Sequence, residues 1–166
     1  MAQQKKSGYT VADFLPLIII FSIIIAFVII RQLYMGWGMN SAMYDTMGAF
    51  FIIFGAFKII NLSAFADAYQ IYDIIAQRSR AYAFVYPFIE VALGIAYFAR
   101  YNLFLTNIVT LLLMIVSSIG VGREVMQGNK IPCACLGMVF RIPMTYVTLI
   151  EDVTMACMAA YMLLIA

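Results

Sequence analysis

Apolar residues fall in long blocks separated by short polar stretches. LPLIIIFSIIIAFVII (15–30), MGAFFIIFGAFKIINL (47–62), AYAFVYPFIEVALGIAYFA (81–99), LFLTNIVTLLLMIVSSIGV (103–121) and VTLIEDVTMACMAAYMLLIA (147–166) each approach the length that crosses a hydrocarbon core of roughly 30 Å. They predict five transmembrane helices, the second extendable back to Met43 and Tyr44. The first run exceeds the apolar region of a signal peptide, and no small-x-small cleavage site follows it before the next block. Between the second and third, SAFADAYQIYDIIAQRSR carries Phe65, Ala68, Tyr72 and Ile75 at helical spacing, which predicts a short amphipathic helix at the interface. Only Arg100, Tyr101 and Asn102 separate the third and fourth blocks, so those helices must form an antiparallel hairpin.

Composition agrees with this pattern. The chain has 166 residues, 66% of them hydrophobic and 11% charged, far from the ~25% charged residues of soluble domains. The expected fold class is an all-α, polytopic integral membrane protein in contact with the lipid bilayer, and nothing predicts nucleic-acid binding. Basic residues set the orientation. With the N-terminus in the cytoplasm, Lys5, Lys6, Arg78, Arg80, Arg123, Lys130 and Arg141 lie inside, and Arg31 and Arg100 outside. This divides the chain into a cytoplasmic tail (1–13), a first transmembrane helix (14–34) and a four-helix domain (43–166) with a cytoplasmic loop at 122–143.

The chain contains no histidine, which removes Ser-His and Cys-His catalytic pairs and imidazole ligands. Thiols, thioethers, carboxylates and one intramembrane lysine remain. IPCACLG (131–137) sets Cys133 and Cys135 one residue apart, with Gly137 able to turn the chain back toward the membrane. As a disulfide the pair closes a small, strained, oxidising ring; as thiolates it suits a soft ion such as Cu(I); as inert residues it fills space. In a reducing cytoplasm a metal ligand or transient redox centre is favoured over a structural bridge. Cys157, in the last helix, is expected in the core.

Met35, Met39, Met43 and Met47 recur every four residues, a spacing that on one helix makes a stripe of possible thioether ligands, although Gly36 and Gly38 weaken the helix at its start. Met155, Met158 and Met162 form a similar row; methionine is also an ordinary packing residue. Glu90, midway along its helix, must face the bundle interior, with Lys58 as its plausible partner unless that lysine snorkels to the inner surface. Such a pair serves equally as a proton or cation path and as a structural contact. Thr148 to Glu151 match a T-x-x-E capping box opening the last helix; Glu151 and Asp152 also follow the cysteine loop closely enough to support a bound cation or thiol chemistry. Pro87 is expected to mark a kink, and Tyr69, Tyr72, Tyr82 and Tyr86 an interfacial aromatic belt.

The stretches FFIIFGAFKIINLSAFADAYQIYD, YPFIEVALGIAY and KIPCACLGMVFRIPMTYVTLIED resemble the MauE/DoxX-like family of redox-associated membrane proteins, and most closely its heavy-metal-associated bacterial members. The resemblance covers roughly residues 43–166. It implies a four-helix core with the first helix as an addition, and placement in the bacterial cytoplasmic (inner) membrane. It also implies a thiol centre at Cys133 and Cys135, and paired G-x-x-K and P-x-x-E positions at Gly55 with Lys58 and Pro87 with Glu90. MauE itself is associated with disulfide formation during maturation of methylamine dehydrogenase. Ala134 and Leu136 depart from the more usual C-G-C-F pattern. Some similar proteins carry an N-terminal heavy-metal-associated domain, which this sequence lacks, so a metal donor would be a separate metallochaperone.

Three functions follow as expectations. The first is handling of a soft metal, Cu(I) or Hg(II), by Cys133 and Cys135, with Lys58 and Glu90 shaping a passage and the methionines assisting. The second is thiol-disulfide redox exchange with a partner protein through the same cysteines. The third is a structural subunit of a larger membrane complex.

Overall fold

The structure, a computed structural model, describes residues 15–127 and 145–165. Its elements are α1 (Leu15–Met35), α2 (Met39–Ile60), α3 (Leu62–Tyr72), α4 (Arg80–Phe98), α5 (Leu103–Met126) and α6 (Thr145–Leu164). All but α3 are long and apolar enough to cross a membrane, so the chain is a polytopic, all-helical membrane protein. Their outer faces carry bare isoleucines, leucines and phenylalanines such as Ile18, Ile23, Phe88, Phe104 and Leu112, as contact with lipid requires.

Helix pairing follows chain order only in part. α2 lies along α4, and α5 along α6, while α4 and α5 touch little despite the tight turn between them. That turn needs two residues with positive φ, Arg100 (53°) and Asn102 (38°), and the Asn102 side chain caps α5 by accepting from the Leu105 amide at 3.3 Å. In bilayer interiors helices associate through close packing at small residues, and α2 and α4 do so here. A Cβ on Gly55 would stand 2.8 Å from Val91 Cγ2 and 3.2 Å from the Pro87 carbonyl oxygen; one on Gly94 would stand 2.9 Å from the Gly48 carbonyl oxygen. α1 packs chiefly along α2, through Leu17, Ile20 and Ile24, with Phe27 reaching Phe98 of α4, and just 22% of its apolar stretch is buried.

Several expectations change. α2 starts at Met39, eight residues before the apolar block, because Gly36 (φ 92°) ends α1 and Gly38 re-enters as extended backbone. The buried face of α3 is Phe65, Ala66, Tyr69 and Tyr72; Ala68 is only partly buried, and Ile75 falls beyond the helix and is exposed. Thr148 and Glu151 are not a capping box, since α6 is already helical from Thr145 and both side chains are buried on its inner face. Cys157 is exposed, opposite the buried face formed by Met155, Ala159 and Met162.

α3 is seated on α5 through Gly120, where an added Cβ would meet the Tyr72 carbonyl oxygen at 2.6 Å and Asp73 Cα at 3.2 Å. Gly120→Ala is expected to lose about 1–3 kcal/mol through overpacking against backbone. Gly122→Ala, whose nearest neighbour would be Leu149 Cδ1 at 4.0 Å, should be neutral or slightly stabilising. Thermal unfolding of the two variants in detergent checks the contrast.

Candidate functional site

The chemistry at the centre of the bundle follows from the glycine seam. Gly55 of α2 sits level with Pro87 and Val91 of the antiparallel α4. Lys58 lies about one turn further along α2, and Glu90 lies between Pro87 and Val91 on α4. Helical side chains lean toward their own N-terminus, so these two lean toward each other across the seam. Lys58 Nζ meets both Glu90 carboxylate oxygens, at 2.6 and 2.7 Å, with Lys58 6% and Glu90 2% exposed. The lysine therefore does not snorkel to the surface. The spacing of G-x-x-K against P-x-x-E acquires a physical meaning: the glycine and proline fix the level at which the charges meet.

Aromatic rings enclose the pair. Lys58 Nζ lies 5.0 Å from the Tyr86 ring centre and 5.5 Å from that of Phe65, a cation–π arrangement in a site shielded from water. Tyr69 packs on Phe65 and Tyr86, with ring centres at 5.0 and 4.6 Å, and Tyr82 lies 5.9 Å from Tyr86. Tyr69, Tyr72 and Tyr86 are buried and Tyr82 partly so, so these tyrosines form an interior cluster rather than an interfacial belt. The Tyr69 hydroxyl donates to Asp73 Oδ2 at 3.0 Å, while Asp73 Oδ1 accepts from the Ile75 and Ala76 amides and holds the turn after α3. Burial, with Tyr86 and Asp73 alongside, pushes the Tyr69 phenol well above the ordinary tyrosine range and keeps it neutral.

The second helix pair brings its own polar residues inward. Ser117 Oγ of α5 donates to Asp152 Oδ2 of α6 at 2.6 Å, and Glu151 is buried beside it in sequence. Cys133 and Cys135 lie outside the described residues, in the stretch of sequence between α5 and α6. Among the described residues no three Asp, Glu or Cys side chains come together as a metal-binding group.

The methionines do not make one stripe. Met35 ends α1 and Met39 begins α2, both exposed, while Met43 is half-buried and Met47 fully buried in the core. Met155 and Met162 are also core residues, with Met158 packed against them.

One polar cluster escaped the sequence altogether. At the opposite end, fully buried Asp45 accepts from Arg100 Nη2 at 2.6 Å and Gln32 Nε2 at 3.0 Å and pairs with Arg31 at 3.4 Å. Gln32 Oε1 accepts from the Gly38 amide at 3.1 Å, and Arg100 also donates to Ser41 Oγ. Asp45 stands in a polar stretch, NSAMYDT, that reads as a loop, and Gln32 at the frayed end of an apolar run. Their only sequence signal is that an acidic residue follows the apolar run of α1, with two arginines expected on the same side.

These observations define a helical membrane protein with five spans among the described residues and a buried lysine–glutamate pair between two closely packed helices. The chain belongs to the MauE family: the family model, described as methylamine utilisation protein MauE, matches residues 39–165. The matched span begins with α2, so α1 stands outside it. No curated protein and no solved structure matches the chain.

Removing one member of the buried pair strands the other. Lys58→Met or Glu90→Leu alone should destabilise the protein by about 3–5 kcal/mol, and the double variant should recover most of that loss, as read from thermal unfolding in detergent. Tyr69 gives a pH test. Its folded value lies above the unfolded value near 10, so its stabilising contribution is complete below pH ~10 and falls as pH rises further. Alkaline unfolding should therefore shift to higher pH in Tyr69→Phe.

Proposed function

We propose that this chain is a membrane thiol–disulfide exchange protein in which Cys133 and Cys135 trade a disulfide with a partner protein. Membership of the MauE family over a span that includes both cysteines carries this conclusion. In the favoured direction a partner thiolate attacks the Cys133–Cys135 disulfide and forms a mixed disulfide, freeing one cysteine as a thiol. The partner's second thiolate then attacks that bond. The partner leaves with a disulfide and the chain with two thiols, two electrons and two protons having moved from partner to chain. The strain of a C-x-C ring supports this direction, because strained disulfides are the more oxidising ones. Other proteins must then reoxidise the pair.

The excess of basic residues on the α3 side supports a cytoplasmic loop and hence a cytoplasmic partner. Lys58 and Glu90 hold the α2–α4 pair in register, and Asp152 with Ser117 fixes the end of α6 that follows the loop. Soft-metal handling by the same two thiolates draws support from the sequence alone; the positions of the methionines add nothing to it.

The test uses Cys157→Ser protein, so that only Cys133 and Cys135 carry thiols. Thiols are trapped in growing cells and labelled with a membrane-impermeant maleimide from each side of the membrane, and the purified protein is analysed for copper and mercury. Redox exchange predicts a fraction of oxidised pair, and a covalent partner adduct that accumulates in Cys133→Ser or Cys135→Ser. A pair that stays reduced under every growth condition and forms no adduct defeats the proposal. Stoichiometric metal lost on Cys133→Ser establishes the soft-ion function instead.

A further inference from the structure

A crevice opens between α1 and the α2–α4 pair. It is lined by Ile23 and Phe27 of α1, Ala49, Ile52 and Ile53 of α2, and Phe98 of α4, has a volume of about 190 Å³, and exposes no polar atom. A cavity without polar partners does not hold water, and one this small does not admit an α-helix about 10 Å across. In a membrane-spanning protein the apolar material available at such a site is lipid acyl chain.

The rim is charged on one side. Phe98 forms the floor beneath Arg31, whose guanidinium carbon lies 5.1 Å from the ring centre, and Phe27 packs edge-on to Phe98 at 5.6 Å. Arg31 and Arg100 share the single carboxylate of Asp45, and their side chains remain 23% and 30% exposed. Two guanidinium groups against one carboxylate leave a net positive charge. Tyr34, Trp37 and Tyr101 are exposed at the same end, and exposed aromatics of this kind mark the level of lipid headgroups. The apolar slot thus runs from headgroup level, under an arginine, into the hydrocarbon.

We infer that this crevice is a binding site for a phospholipid with an anionic headgroup, one acyl chain lying between α1 and α2 and the phosphate facing Arg31. The bound lipid fills the gap left where α1 rests on the bundle. This site is independent of the cysteine chemistry.

The full chain in detergent, exposed to equimolar phosphatidylglycerol and phosphatidylcholine of identical acyl chains, is examined by native mass spectrometry. One interfacial cationic side chain acting on an anionic lipid predicts about a fivefold preference for phosphatidylglycerol. Arg31→Gln, which keeps a hydrogen-bonding group beside Asp45, should abolish the preference while lipid is still retained, and Arg31→Lys should keep it. Ile23→Trp, on an exposed rim position, should lower retention of both lipids while unfolding at the wild-type temperature. Equal retention of the two lipids by the wild-type chain, or undiminished retention by Ile23→Trp, overturns the inference.

Discussion

The contact on which the rest of the bundle depends is the approach of α2 to α4 at Gly48, Gly55 and Gly94. Lipid supplies no hydrophobic drive between helices, so they hold together by packing and by polar groups that have nowhere else to go. The glycines let backbone meet backbone, and that proximity brings Lys58 and Glu90 within hydrogen-bonding distance. Neither charge could be buried alone at this depth. The pair in turn specifies register, because sliding either helix by a turn would strand both charges.

From this pair the polar interior extends toward the α3 end. Phe65 and Tyr86 pack around the ammonium, and Tyr69, packed on both rings, donates a hydrogen bond to Asp73 at the turn after α3. Gly120 lets that turn rest on α5, whose Ser117 fastens Asp152 of α6. α5 and α6 are thus tied, through these contacts, to the same cluster that holds α2 and α4.

The opposite end is organised differently. Asp45 gathers Arg31, Gln32 and Arg100 from α1 and the α4–α5 turn. Its carboxylate is fully buried yet fully engaged, and it anchors a helix that the MauE match does not include. α1 is joined to the bundle by this polar lock at one end and an apolar seam along α2, which leaves room between them for lipid.

Much of the architecture was legible in the sequence for a direct physical reason: a bilayer requires long apolar helices, so five apolar blocks read as five spans, and their length and order follow. The same logic marked Glu90 and Lys58, since ionisable groups in apolar runs need partners. What local pattern could not supply was that α2 pairs with α4, because Gly48, Gly55 and Gly94 permit that contact across an intervening helix. For a related reason, Tyr69, Tyr72 and Tyr86 had the look of an interfacial belt and proved to be an interior cluster, and Cys157 proved to be exposed. Asp45, silent in a polar stretch, became the hub of one end only when folding brought arginines from two distant segments onto one carboxylate.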